Sequence, residues 1–250
     1  MTTIRSCARL AFHCLGAGLA PAAALAAAFG VTPIRIDLDP GSRTGIVTVS
    51  NDDQRRLTFQ VKLAEWTQSA GGEDHHADSA DLVYFPQILA VEPGEKRLVR
   101  VGLKGPLPPR ERAYRLFIEE LPDPADKGAG GGSAQIAVRM RFGVPIFVSD
   151  GKGEARPEFA AVKAGKGRLD IELRNDGARQ ARFEELLLLA GGKVVGRANG
   201  WYVFPGTTKG FAIPVERSAC PLAGTLELRA TYAGKDIRRT VEATPALCAP

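Results

Sequence analysis

The chain has 250 residues, 44% of them apolar and 24% charged, with a formal net charge of +5. This length allows one large domain or two of ordinary size, and the apolar share suffices for true cores. So mild a positive balance argues against a nucleic-acid binder, and beyond the N-terminal segment no apolar run is long enough to be inserted stably in a membrane.

Residues 1–28 stand apart. Arg5 and Arg9 precede a run of Ala, Leu and Gly without an acidic residue, closed by Ala24-Leu25-Ala26. This is the pattern of a secretory signal peptide cut near Ala26 or Ala28, and Pro21 with the many alanines suits removal better than retention as an anchor. Cleavage would take Cys7 and Cys14 away and leave Cys220 and Cys248, an even pair in an oxidising compartment, for which a disulfide is expected.

The following segments read almost entirely as strands. Ile34, Ile36 and Leu38 alternate with Arg35, Asp37 and Asp39. Ile46–Val49 leads into the turn Ser50-Asn51-Asp52-Asp53, and Leu57, Phe59, Val61 and Leu63 alternate with polar positions up to Trp66. Val99, Val101 and Leu103 share a face, as do Tyr114, Leu116 and Ile118. Turn signals recur as Asp39-Pro40-Gly41, Glu92-Pro93-Gly94 and Leu107-Pro108-Pro109. Gly128–Gly132 reads as a flexible connection, since neither Lys-Ser/Thr nor a helix follows it to cradle a phosphate.

Next comes the most regular stretch, Ala134–Val148. Ile136, Val138, Met140, Phe142 and Val144 alternate with Gln135, Ala137, Arg139, Arg141 and Gly143, which predicts one long strand with an apolar and a basic face. Such a strand is either central in a sheet or offers its edge to another chain. Ser149–Pro157 is polar and closed by proline, a natural boundary. Beyond it the strand pattern restarts with Leu169, Ile171 and Leu173, the turn Asn175-Asp176-Gly177, Phe183–Leu189, Trp201–Phe204, Phe211–Val215, Leu226, Leu228 and Ala230, and Ile237–Val241. The expected class is all-β, with two β-sandwich domains at 29–149 and 150–250 after the leader at 1–28.

Catalytic chemistry finds little support. No histidine accompanies a patterned nucleophile, so no enzyme is expected, and no cofactor is implied. His75 and His76 sit among Glu73, Asp74 and Asp78, but adjacent histidines lack the separated spacing that preorganises a metal site. A solvated hairpin tip is the expectation there, and no metal. Trp201-Tyr202 is expected to plug the second domain's core. If instead it projected from a loop, the chain would suit a secreted adhesin or carbohydrate-binding module. The arginines carry more. Arg35 lies opposite Ile34, Ile36 and Leu38, while Arg139 and Arg141 share a face of the long strand. Were the two strands to converge, their guanidinium groups would form a fork for a carboxylate.

Several short motifs in this order resemble one family. They are Thr32-Pro33-Ile34-Arg35-Ile36, Val49-Ser50-Asn51, Val91-Glu92-Pro93-Gly94 with Leu98-Val99-Arg100-Val101, Tyr114-Arg115-Leu116-Phe117 leading to Glu120-Leu121-Pro122, and Gln135-Ile136-Ala137-Val138. Together the chain is similar to the PapD-like periplasmic chaperones of the chaperone–usher pilus pathway. Ala113-Tyr114-Arg115-Leu116 and Val144-Pro145-Ile146-Phe147-Val148 look most like its archaic, sigma-type branch. The resemblance implies two immunoglobulin-like sandwiches in an L-shaped (boomerang) arrangement and a periplasmic location. It implies pilus or fimbrial subunits and an outer-membrane usher as partners. It also implies a strand, 134–144, donated to a subunit that lacks one; PapD-type sandwiches and chaperone–pilin strand addition are themselves standard examples of these two ideas.

Carried over residue by residue, Arg35 falls on the family's anchor for a subunit's C-terminal carboxylate. Ile136, Val138, Met140 and Phe142 fall on the donated hydrophobic set. The family's second anchor is a lysine on the long strand, where this chain has Gly143. Arg141 is the expected substitute, with Arg139 or Arg100 as auxiliaries. Glu111 matches an interdomain carboxylate whose arginine partner aligns with Phe147, so that network is expected to be absent or rebuilt. Pro86 falls on a cis-proline position.

Overall fold

A computed structural model of the chain describes residues 29–122 and 139–249. The proposed leader, the glycine tract at 128–132 and the first part of the proposed donor strand, with Ile136 and Val138, lie outside them. Strand alternation is expressed as expected, and the described elements are strands joined by turns and two short 3-10 turns.

The first ten strands are β1 (Phe29–Thr32), β2 (Ile36–Leu38), β3 (Thr44–Asn51), β4 (Leu57–Gln68), β5 (Asp74–Asp78), β6 (Leu82–Phe85), β7 (Ile88–Val91), β8 (Lys96–Leu103), β9 (Arg112–Glu120) and β10 (Arg141–Val148). They build two facing sheets, one ordered β1-β3-β8-β6 and the other β2-β10-β9-β4-β5, with β7 also on β4. Their inner faces, including Val47, Phe59, Val99, Leu116, Ile118, Val144 and Ile146, close into one core. The remaining strands are β11 (Pro157–Gly165), β12 (Arg168–Asn175), β13 (Ala181–Ala190), β14 (Lys193–Asn199), β15 (Tyr202–Val203), β16 (Thr208–Pro214), β17 (Thr225–Tyr232) and β18 (Lys235–Glu242). They form a second sandwich of β11-β12-β16 over β14-β13-β17-β18, with β15 on β13 and its own core around Leu169, Phe183, Leu188 and Leu228. Cys220 and Cys248 are bonded, tying the chain's end to the segment before β17.

One device recurs in both sandwiches. Asn51 ends β3 fully buried, donates to the carbonyls of Arg55 and Val91 and accepts from the Asp53 N–H. Asn175 ends β12 in the same way, donating to Arg179 and Val203 and accepting from Arg156 and Gly177. A buried amide satisfied on both ends locks the turn to a neighbouring strand. The turn signals Asn51-Asp52 and Asn175-Asp176 are therefore structural equivalents, although the two halves share no defensible sequence repeat.

Several expectations need correction. The first alternating segment is not one strand. Residues 29–32 pair with β3 in one sheet, a cis Thr32–Pro33 bond follows, and Ile36–Leu38 joins the other sheet beside β10. Ile34 is left at the crossing, exposed rather than sharing the buried face of Ile36 and Leu38. The long strand begins at Arg141 among the described residues, with Arg139 and Met140 preceding it outside regular structure. His75 and His76 are not at a hairpin tip but on β5, opposite Thr67 and Trp66. Phe85–Pro86 is cis, as the resemblance suggests.

Trp201-Tyr202 does not plug the second core. Tyr202 and Phe204 leave that sandwich and pack with Trp66, Ala113 and Phe147 of the first, forming a third cluster between the domains. Ring centroids of Trp66 lie 4.7 Å from Phe204 and 5.2 Å from Tyr202. The Gln68 amide clasps the joint. It donates to Tyr202 O and Asp74 Oδ1 and accepts from Phe204 N–H and the Thr207 hydroxyl, all at 2.9–3.0 Å. The Trp201 indole N–H donates to Asp74 Oδ2 at 2.7 Å, and Lys209 Nζ bonds Gly72 O. Closed by both an aromatic core and a satisfied amide, this joint holds the two domains and the cleft between them in one geometry.

Candidate functional site

The site is built on β10. β9 pairs with it from Arg141 to Val148 on one side. On the other side β2, parallel to it, covers only Ile146–Val148. From Arg141 to Pro145 that edge has no partner among the described residues, so β10 is central at its C-terminal end and an edge strand at its N-terminal end. Val144, Ile146 and Val148 face the first core; Gly143, Pro145 and Phe147 face the interdomain cleft. Phe142 continues the core-facing row past the end of the sandwich and, like Met140 just before the strand, is more than a third exposed. The apolar row of the core thus runs out into solvent along an unpaired edge. Ile136 and Val138 continue the same alternation outside the described residues.

Arg35 stands where the open edge stops. As the residue before Ile36, which is opposite Ile146, it lies at the level of Pro145. Its guanidinium stacks 4.6 Å from the Phe147 ring centre and is held by Asp37, with Nη2–Oδ1 at 2.6 Å and Nε–Oδ2 at 2.8 Å. Burial lowers its pKa, but the hydrogen bond and charge of Asp37 outweigh this and the net direction is up. The Asp37 contacts use Nε and Nη2, which leaves Nη1 for a ligand.

The residue that sequence reasoning missed is Arg115. On β9 it is directly opposite Pro145, so Arg35, Pro145 and Arg115 form one row across three strands. With strands about 4.8 Å apart, the two arginine backbones are about 10 Å from each other on the same face. The Arg115 guanidinium lies 3.9 Å from the Trp66 ring centre and 5.5 Å from that of Trp201. Its Nε is buried without a hydrogen-bond partner, and among the described residues no carboxylate pairs with it. Burial pushes its pKa down and outweighs the opposing pull of Tyr202 and Asp74, so this cation is desolvated and only partly compensated. A Cβ at Gly143 would stand 3.3 Å from Arg115 Nη1 and 3.2 Å from Phe117 Cε1. The glycine that breaks the family pattern leaves room for Arg115 Nη1 and the Phe117 ring against β10. The available signal was that pairing, a missing lysine facing an arginine on the same face of the neighbouring strand.

The other predicted cations lie elsewhere. Arg141 is on the cleft face but four residues up β10 from Pro145, stacked 3.7 Å from the Phe117 ring centre, with Glu119 at 3.8 Å. The structure does not bring it to Arg35. Arg139 is exposed just before β10. Arg100 is on the opposite side of the sandwich, on β8 between Ile46 and Phe85. The interdomain carboxylate is rebuilt: Glu111 accepts from the Gln180 N–H at 2.8 Å and from Arg179 Nε at 3.4 Å. Among the described residues no group of three or more His, Cys, Asp or Glu could hold a metal ion.

Comparison with known proteins bears on the fold that carries this site. Residues 28–149 match the family described as pili and flagellar-assembly chaperone, PapD N-terminal domain. A search of curated protein sequences found no match. Among solved structures, the chain is similar to the CsuC–CsuE chaperone–tip adhesion subunit pre-assembly complex from archaic chaperone–usher Csu pili of Acinetobacter baumannii. The TM-score is 0.62 at 21% identity, covering 86% of this chain and 98% of that one. It is also similar to the Salmonella enterica SafA pilin in complex with the SafB chaperone, with a TM-score of 0.59 at 13% identity over 88% of this chain and 99% of that one. The E. coli chaperone DraB gives 0.54 at 17% identity over 87% and 97%. These likenesses establish the two-sandwich fold.

Proposed function

We propose, from the premise that residues 28–149 are a PapD-type chaperone domain, that this chain is a periplasmic assembly chaperone that lends β10 and the segment before it to pilus subunits lacking a strand. The observation that carries this reading is the half-open edge of β10, ending at two guanidinium groups with spare donors. A strand laid on Arg141–Pro145 must stop where β2 takes over at Ile146. If it runs parallel to β10, its C-terminus arrives between Arg35 and Arg115, and its carboxylate meets both. If it ran antiparallel, an ammonium group would meet two cations. Charge therefore sets direction, and the end of the strand sets register. Met140 and Phe142, with Ile136 and Val138 on the same alternation, would fill the subunit's open groove, each contributing about 1.5–3 kcal/mol of apolar burial before ordering costs. The signal peptide at 1–28, the domain limits at 29–149 and 150–250, and delivery to an outer-membrane usher belong to the same reading.

The adhesin or carbohydrate-binding reading loses its footing, because Tyr202 is buried in the interdomain cluster and the Trp201 N–H is bonded to Asp74. The deciding experiment co-expresses the chain with a pilin-like subunit and measures recovery of the complex from periplasm. Wild type should recover soluble subunit, while Arg35→Ala and a Met140→Ser/Phe142→Ser variant should each lose most of it. Recovery unchanged in both variants would refute strand donation at this edge.

A further inference from the structure

The first domain does not hold the whole end of the cleft. Beyond Arg35, a cavity of about 420 Å³ opens between the domains. It is lined on the second domain by Gln180, Arg182 and Glu184 of the β13 entry, by Lys235 at the start of β18, and by Glu154. Arg182 lies 5.7 Å from the Tyr202 ring centre, and among the described residues no carboxylate pairs with it. Tyr202 in turn packs 5.4 Å from Phe147, the ring that carries Arg35. The two arginines thus stand on adjoining rings of one aromatic cluster and face one cavity. Beside them the Gln180 side-chain oxygen is buried with no hydrogen-bond partner. A buried acceptor left unmet calls for a donor from whatever fills the space.

This mixture has a definite chemistry. Asp37 already accompanies Arg35, and Glu111 accompanies Arg179. Arg182 and Lys235 then face Glu154 and Glu184, so the lining is close to balanced and does not favour a bare anion. A peptide terminus brings both kinds of group, a carboxylate for the guanidinium and amide N–H groups for the Gln180 oxygen.

We propose that Arg182, with Gln180, forms a second-domain half of the carboxylate anchor, so that the last residue of a bound subunit is held across the interdomain cleft. This rests on the strand-donation reading above and names a residue of the other domain for the same ligand. The carboxylate that meets Arg35 and Arg115 would also be reached by Arg182 across the cleft, and the last peptide N–H would donate to Gln180. Anchoring would then require both domains in their observed arrangement, which the Trp66–Tyr202–Phe204 cluster and the Gln68 clasp maintain.

The test uses a synthetic peptide of a subunit's C-terminal strand in two forms, free acid and C-terminal amide. Each is titrated by fluorescence anisotropy against full-length wild type, Arg182→Gln and Arg35→Ala. Wild type should bind the acid at least about tenfold more tightly than the amide, the scale of a charged hydrogen bond. Arg182→Gln should reduce that ratio several-fold while leaving affinity for the amide unchanged, a selectivity that a merely structural role would not produce. A ratio unchanged in Arg182→Gln, or equal weakening of both forms, would overturn the proposal even if Arg35→Ala abolishes the ratio as the parent reading requires. No acid-over-amide preference in wild type would overturn the carboxylate anchor itself and this proposal with it.

Discussion

Replacing Arg115 by methionine should separate binding from folding. The side chain is half-buried, its Nε has no partner, and burial outweighs the pull of Asp74 on its charge. Removing it relieves a buried unsatisfied donor worth about 1–3 kcal/mol and forfeits a cation–π contact with Trp66 worth about 0.5–2 kcal/mol. Methionine keeps an apolar stem over the ring, so folding stability should stay within about 1 kcal/mol of wild type. Binding is different, because a hydrogen bond to a charged carboxylate contributes about 1.5–3 kcal/mol. Affinity for a free-acid subunit peptide should therefore fall about 10- to 150-fold. Arg141→Met, four residues from the end of the open edge and already beside Glu119, should cost only a few-fold. Thermal unfolding followed by circular dichroism and an anisotropy titration on the same preparations measure both quantities. The reasoning fails if Arg141→Met weakens binding as much as Arg115→Met, or if Arg115→Met unfolds the chain.

Two further outcomes test the joint on which the cleft depends. Gln68→Ala should lower unfolding stability by about 2–4 kcal/mol in urea denaturation, because it strips Phe204 N–H, Tyr202 O and the Thr207 hydroxyl of one shared partner; a loss below about 0.5 kcal/mol would show the clasp to be dispensable. Glu111 titrates in the opposite sense to most paired carboxylates. Burial raises its pKa above the ordinary value of 4.5, outweighing the Gln180 N–H and the Arg179 charge. The folded chain then keeps this proton to higher pH than the unfolded chain, so its contribution is most favourable below 4.5 and declines as pH rises through the folded value. Melting temperatures of wild type minus Glu111→Gln, compared from pH 4 to 7, should fall with rising pH; a difference that grows instead would mean that the Arg179 pair dominates.

Period-two alternation is a local property, and where it decided the outcome the sequence was readable. β4, β8, β9 and β12 bury the alternating positions expected of them, because one face of each meets a core. The failures that bear on the site involve partners distant in sequence. Ile34, Ile36 and Leu38 alternate well, yet which sheet each residue joins depends on a crossing at Pro33 that pattern does not reveal. Trp201-Tyr202 looks like core material and is, but of a cluster shared with Trp66 and Phe147 of the other domain. The proposed anchor was half legible for the same reason. Arg35 stands alone in its segment, whereas Arg115 becomes meaningful only when strand pairing sets it opposite Pro145 and lets it pass over Gly143.

The way β10 is left open explains how a sticky edge becomes selective. A long unpaired apolar edge would recruit any extended segment. Here the described open stretch carries a charge at Arg141, a glycine at 143 and a proline without an N–H at 145, each of which weakens indiscriminate pairing. β2 then closes the edge at Ile146, so a strand passing through from the middle of a chain would collide with it or have to turn away over Arg35. Only a strand that ends there can use the whole edge. An anion at that level would compensate the desolvated charge of Arg115. On the proposed reading, backbone pairing supplies reach and the apolar row supplies burial, while the blocked edge with Arg35 and Arg115 at its end would make the site a reader of chain ends.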